Sequence, residues 1–174
     1  DKVCNAAAVY TQNKVKGAPI LVTKANLEKS GNKAVAVIAN SKNANTCNVD
    51  GVEKANQMCE LVASELNIPK EQVIVASTGV IGQILPIEPI VEAVPKLAKE
   101  LDYGKNEQAA TAIMTTDTIK KEYAVEFEIG GRKCVMGGML KGSGMIHPNM
   151  ATTLSFITTD AAIAPEYLQR ALSD

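Results

Sequence analysis

The sequence predicts a mixed α/β fold, built as a layered sandwich with a mixed sheet rather than as a doubly wound parallel sheet. Three observations carry this. Short β-branched runs at 34–39 and 73–76 alternate with segments whose apolar residues recur every three or four positions. A strictly alternating segment at 123–129 runs into Gly130-Gly131 and a further β-rich run, the pattern of an antiparallel hairpin. The chain has 174 residues, 46% of them apolar and 21% charged, enough for one domain with its own core.

Residues 34–39 form a continuous apolar run, as expected of a strand buried on both faces. Asp50 is placed to cap a helix reaching about Leu66, with Val52, Ala55, Cys59, Val62 and Leu66 on one face. Ile68-Pro69 should stop it, because the residue before a proline is pushed out of the helical region. A second buried strand follows at 73–76. Residues 87–101 read as helix, which Pro95 should kink or split. Residues 106–114 are Ala-rich and helical. The 123–129 strand sets Tyr123, Val125, Phe127 and Ile129 against Ala124, Glu126 and Glu128, so one face should be buried. The hairpin returns at 133–136, one more strand is expected at 154–157, and Pro165 opens a helix running to Asp174. The abrupt opening at Asp1-Lys2-Val3 is expected to lack the natural beginning of the protein.

The formal net charge is −1, and no basic stripe supports a nucleic-acid partner. No apolar run approaches the ~20 residues needed to span a bilayer, so no membrane partner is expected. No secretory leader is apparent. Cys4, Cys47, Cys59 and Cys134 form no C-x-x-C pair, and a single His leaves no metal-ligand cluster. They are expected to be reduced and mostly buried, which points to the cytoplasm.

Two segments carry candidate chemistry. Residues 76–82 (Ala-Ser-Thr-Gly-Val-Ile-Gly) follow a strand and offer hydroxyls and free-turning glycines. Such a turn can aim an N–H and a hydroxyl at one point, as an oxyanion hole requires, although the same residues also suit an ordinary tight turn. Residues 137–154 form a long glycine-rich connection. It is no phosphate-binding loop, since Lys141 precedes Gly142, and it lacks the G-x-G-x-x-G spacing. His147 is the one His, and no serine elbow accompanies it.

The run from Lys141 to Thr152, Lys-Gly-Ser-Gly-Met-Ile-His-Pro-Asn-Met-Ala-Thr, resembles the signature of the ornithine acetyltransferase family, also called glutamate N-acetyltransferase. Asn40-Ser41-Lys42-Asn43-Ala44-Asn45-Thr46-Cys47 resembles another segment of that family, with Lys42 in place of the usual Gly. Residues 77–82, 113–118 and 158–162 also match in order and spacing, so the resemblance spans essentially the whole chain. It implies an α-β-β-α-type sandwich like that of N-terminal-nucleophile enzymes. Self-cleavage between Ala151 and Thr152 would divide the chain into 1–151, part of an alpha chain, and 152–174, the start of a beta chain.

The same resemblance makes Thr152 the nucleophile, with Thr78 and Gly79 as the oxyanion hole and Thr115, Lys141 and Thr152 as substrate-binding residues. Acetyl would move from N2-acetylornithine to glutamate through an acetyl-threonine enzyme, with acetyl-CoA a further donor in some members. No metal or organic cofactor is implied. The partners implied are the remainder of the precursor, which carries part of the active site, and further copies in a higher oligomer of alpha and beta chains. Two alternatives stay open: a related N-terminal-nucleophile amidohydrolase or aminopeptidase, and a small-molecule binding domain without catalysis. A thr-hydroxyl is a weak nucleophile, but a freed Thr152 would carry an α-amine of pKa near ~8 able to serve as its base.

Overall fold

The computed structural model describes residues 2–144, 150 and 153–174. Strand β1 (Cys4–Asn5) pairs antiparallel with β2 (Lys33–Ala34), and helix α1 (Ala18–Lys29) lies between them in sequence. Strand β3 (Ala36–Asn40) pairs parallel with β4 (Val73–Ser77), in register from Ala36↔Val73 to Asn40↔Ser77. Helix α2 (Gly51–Leu66) makes the crossover between these two strands. Helices α3 (Glu88–Lys99) and α4 (Asn106–Ala112) follow. Strands β5 (Lys121–Ile129), β6 (Arg132–Lys141) and β7 (Leu154–Thr159) form an antiparallel sheet in that order, and α5 (Pro165–Ser173) follows.

The core is the space between α2, α1, the β3–β4 pair and α3. From α2 it takes Ala55, Met58, Cys59 and Val62, from β4 Val73 and Val75, from β3 Ile38, and from α3 Val94. Each large apolar side chain buried there contributes about 1.5–3 kcal/mol. α2 ends at Asn67 in the left-handed region, where the Ile68 N–H reaches the Ala63 carbonyl at 3.0 Å. α5 begins with a proline in its first turn, as the sequence suggests.

Helix α1 was not expected, and the reason is physical. The face it turns inward carries Thr23 and Asn26 beside Val22 and Leu27, so no clean apolar stripe marks it. Those polar groups serve a free strand edge. Thr23 Oγ1 donates to the Val75 carbonyl at 2.8 Å and accepts from the Val75 N–H at 3.0 Å. Asn26 Nδ2 donates to the Val73 carbonyl at 3.0 Å. A helix face thus does what a third strand would do for β4.

Several other expectations are corrected. The 34–39 run is broken at Val35 into β2 and β3, and only Ile38 of β3 is buried while Val37 faces out, because β3 has a helical layer on one side only among the described residues. Asp50 sits at the start of α2, but its side chain makes no capping hydrogen bond, and Val52 is exposed while Met58 takes its place in the core. Pro95 does not split α3. The apolar row of β5 is open rather than buried, with Tyr123 and Ile129 exposed. Parallel and antiparallel pairings occupy separate small sheets rather than one mixed sheet.

β6 runs five residues past Met136, so Gly137 to Lys141 belong to a strand and the glycine-rich connection shrinks to 142–153. Gly130 and Gly131 both have positive φ, 57° and 77°, giving the tight turn that lets Ile129 pair with Arg132. The four cysteines are free, but only Cys59 is buried, and burial pushes its thiol up to about 11. Cys4 and Cys47 are exposed and Cys134 half-buried, because they fall outside the helix face that packs on the strands.

Candidate active site

The β3–β4 ladder ends at Asn40↔Ser77, and both chains then bend toward each other. The Thr78 N–H donates to the Asn40 carbonyl at 3.1 Å, Val80 N–H to Lys42 at 3.0 Å, and Gly82 N–H to Thr46 at 2.9 Å. Every second N–H of the 78–82 turn is therefore spent on the 40–46 loop. The Gly79 N–H, which alternates with them, has no hydrogen-bond partner among the described residues. Gly79 has φ 136°, and a Cβ there would lie 2.1 Å from the Lys42 carbonyl carbon and 2.5 Å from the Asn43 N. Only glycine lets the two backbones approach this closely.

The 40–46 loop is held by its own amides. Asn40 Nδ2 donates to the Asn43 carbonyl at 2.9 Å, and Asn40 Oδ1 accepts from Ser77 Oγ at 2.6 Å. Asn43 Nδ2 donates to the Gln83 carbonyl at 3.0 Å, and Asn43 Oδ1 accepts the Asn45 N–H at 2.8 Å. Asn45 is fully buried and donates to the Gly51 carbonyl at 2.8 Å. Lys42, Asn45 and Cys47 all have positive φ, at 76°, 47° and 62°. The turn that carries Thr78 and Gly79 thus rests on a loop locked by three asparagines.

Opposite this turn stands Lys141, the last residue of β6. It is 3% exposed, and its Nζ lies 3.3 Å from Thr78 Oγ1. An ammonium only donates, so the Thr78 oxygen accepts and its single proton is left for another acceptor. Among the described residues no carboxylate pairs with Lys141. A buried cation without an anion beside it favours an anionic ligand group or a developing oxyanion there. This burial sets it apart from an ordinary solvated surface lysine.

Thr115 is exposed, and among the described residues it forms no hydrogen bond with Thr78 or Lys141. Its N–H donates to Asp117 Oδ2 at 3.3 Å, and Asp117 Oδ1 accepts from the Gly142 N–H at 2.8 Å, so one carboxylate links Thr115 to the residue after Lys141. Lys121 beside it, and then these two N–H groups, hold the Asp117 carboxyl well below the usual carboxylate range against the opposing effect of burial. Sequence reasoning passed over Asp117, although it sits in the 113–118 segment; of that segment only Thr115 was singled out, through the family resemblance. Ala151, Thr152 and His147 lie outside the described residues. Thr153, the covalent neighbour of Thr152, lies against Gly142, where a Cβ would come within 2.6 Å of the Thr153 methyl.

Among the described residues no group of three His, Cys, Asp or Glu side chains is placed to hold a metal, and no helix is long and apolar enough to cross a membrane.

The mixed α/β fold of this chain is similar to that of solved proteins. The arginine biosynthesis bifunctional protein argJ of Bacillus halodurans matches with a TM-score of 0.78 at 39% identity, over 86% of this chain and 78% of that one. Ornithine acetyltransferase of Mycobacterium tuberculosis, solved in complex with ornithine, matches with a TM-score of 0.70 at 34% identity, over 85% and 78%. The ArgJ family model matches residues 1–174, and the chain belongs to the ArgJ family. Arginine biosynthesis bifunctional protein ArgJ of Listeria monocytogenes serotype 4b is 50% identical over 169 residues, 97% of this chain and 42% of that relative. ArgJ 1 of Clostridium acetobutylicum is 47% identical over 175 residues, with 100% and 42% covered. The chain thus spans about two fifths of the length of these curated relatives.

Proposed function

We propose that this chain is the part of a cytoplasmic glutamate N-acetyltransferase that carries the oxyanion hole, one substrate contact and the nucleophile, Thr152. The overall architecture, completed by the rest of the precursor, is an α-β-β-α sandwich, and the assembled enzyme is an oligomer of alpha and beta chains. One observation carries the reading: the Gly79 N–H has no partner among the described residues, and the adjoining Thr78 hydroxyl accepts from the buried Lys141 ammonium, which leaves its own proton to donate. That is the donor set an acyl-transfer intermediate needs where its carbonyl oxygen becomes negative.

The chemistry follows in two halves. The Thr152 hydroxyl oxygen attacks the acetyl carbon of N2-acetylornithine, and its proton passes through the Thr152 α-amine. The carbonyl oxygen takes the negative charge and is held by Thr78 and Gly79. The C–N bond then breaks, and the departing amine of ornithine collects the proton. Glutamate next attacks the acetyl ester with its amine, the C–O bond to Thr152 breaks, and the hydroxyl regains its proton. Lys141 and Thr115 bind the amino-acid portion of the substrate, the buried ammonium of Lys141 facing a carboxylate as a point charge. No cofactor takes part.

Freeing the α-amine needs a cut between Ala151 and Thr152. The Thr152 hydroxyl attacks the Ala151 carbonyl, an N→O acyl shift exchanges amide for ester, and water hydrolyses the ester. The test is the intact mass of the full-length protein with N-terminal sequencing of its downstream fragment. Two fragments, the second starting at Thr152, and a single uncut chain in Thr152→Ala are expected. A downstream fragment starting at any other residue overturns the assignment. Acetyl transfer to water in preference to glutamate would instead make the enzyme an amidohydrolase.

A further inference from the structure

Asp117 is a buried charge that the acetyl-transfer steps leave without a task. It lies in the connection from α4 to β5, and its side chain is 1% exposed. Oδ1 accepts from Lys121 Nζ at 2.7 Å and from the Gly142 N–H at 2.8 Å, while Oδ2 accepts the Thr115 N–H at 3.3 Å. Next to it Thr116 Oγ1 lies 3.1 Å from Ser143 Oγ. The 115–117 segment therefore grips the first two residues after β6.

Those two residues begin the 142–153 connection, whose base is closed by the Lys141↔Leu154 pair of the β6–β7 ladder. Gly142 has φ 151° and is pressed against Thr153, leaving no room for a side chain. A chain of contacts thus runs from the Asp117 carboxylate through Gly142 to Thr153, which is bonded to Thr152. Bonds from N–H groups to an ionised carboxylate are roughly twice as strong as neutral ones, so this grip is firmer than a loop would gain from its own backbone.

We propose that Asp117 is a positioning residue for self-cleavage, fixing the base of the 142–153 connection at Gly142 and, through it, at Thr153. The proposal rests on the self-cleavage reading above. Attack within one chain depends steeply on approach geometry, and a displacement of about 1 Å can cost about a hundredfold in rate. The Lys121 ion pair is a separate matter: it neutralises the carboxylate, whereas the two backbone N–H bonds do the holding. An asparagine keeps one acceptor oxygen and an alanine keeps none, so the three side chains should grade the effect.

The experiment follows the rate of cutting in the full-length precursor, by gel and intact mass, for wild type, Asp117→Ala, Asp117→Asn and Lys121→Met. Thermal melting of the same substitutions in the uncut Thr152→Ala background reports folding separately. Asp117→Ala should cut at least tenfold more slowly, Asp117→Asn should fall between it and wild type, and Lys121→Met should stay within about threefold of wild type. A folded Asp117→Ala that cuts at the wild-type rate overturns the proposal, as does a Lys121→Met that slows as much as Asp117→Ala. Should Asp117→Ala not melt cooperatively, Asp117→Asn decides on the same terms: slowed cutting supports the role and the wild-type rate removes it. A wild-type precursor that stays whole would overturn the self-cleavage reading itself, a result distinct from a cut wild type with an indifferent Asp117→Ala.

Discussion

Lys141 and Thr78 come from positions 63 residues apart in sequence and meet at 3.3 Å, both buried, one at the end of β6 and the other just past the end of β4. The ammonium fixes the direction of the hydroxyl. Each residue therefore depends on the other, and their removal should not be independent.

In correctly cleaved enzyme, Thr78→Ala should lower kcat by about 10²–10³, the range for losing one oxyanion donor, with KM moving less. Lys141→Met should raise KM for N2-acetylornithine and also lower kcat, since it leaves the Thr78 hydroxyl free to turn. The double variant should lose less in kcat than the product of the two single losses, with a coupling of about 0.5–3 kcal/mol. Strictly multiplicative losses would sever the two residues in function. Cleavage must be checked first, because the proposed self-cleavage would pass through an oxyanion as well.

Gly79 and Gly82 both have positive φ, yet they should respond differently to alanine. At Gly79 the new methyl would meet backbone atoms of Lys42 and Asn43 at 2.1–2.5 Å, whereas at Gly82 nothing lies within 4 Å. Gly82→Ala should cost only the left-handed conformation, about 1–2 kcal/mol. Gly79→Ala must also push apart the 40–46 loop and should cost more than 3 kcal/mol or fail to fold. Melting temperatures of the two variants check this, and equal losses would contradict the close approach.

Lys42 occupies a left-handed position, φ 76°, on the surface of the loop that supports Gly79. Glycine adopts this conformation freely, while a side chain pays about 1 kcal/mol, partly offset by glycine's greater freedom when unfolded. Lys42→Gly should therefore stabilise the chain by about 0.5 kcal/mol and raise its melting midpoint by about 1–2 °C. A lowered midpoint would mean that the lysine side chain contributes more than its backbone strain costs.

Mature enzyme mixed with N2-acetylornithine alone should gain one acetyl group on the fragment that starts at Thr152, and kinetics with both substrates should be ping-pong. His147 is the nearest rival base in sequence, five positions before Thr152. With the α-amine as base, His147→Ala should cleave normally and keep turnover within about tenfold; a loss of about 10²–10⁴ would hand the proton transfer to His147.

Helices and strands with one consistent periodicity were legible in the sequence: α2, β4, β5 and the hairpin at Gly130-Gly131 all stand close to where spacing puts them. What escaped was decided by partners distant in sequence. α1 hides its inward face behind Thr23 and Asn26, which look polar until the edge of β4 is known to need them. The glycines at 137 and 138 read as loop, yet they pair with Thr158 and Ile157 across β7. In the site, the 76–82 turn could be picked out from its residue types, but not the unspent N–H of Gly79. The burial of Lys141 and the grip of Asp117 were invisible for the same reason: both arise where β6 meets segments that precede it by dozens of residues.

The β6–β7 ladder joins Met136↔Thr159 to Lys141↔Leu154, and the Ala151–Thr152 bond lies in the connection between those two strands. Under the proposed cleavage, severing that bond would turn a hairpin into a sheet shared by two polypeptides. Six paired positions would then hold residues 154–159 to the upstream polypeptide, as a dressing stays on after its thread is cut. The fragments need not find each other by diffusion. A freed Thr152 α-amine would lie two residues before the paired strand that begins at Leu154, so the partner that β7 keeps is one it was joined to before the cut.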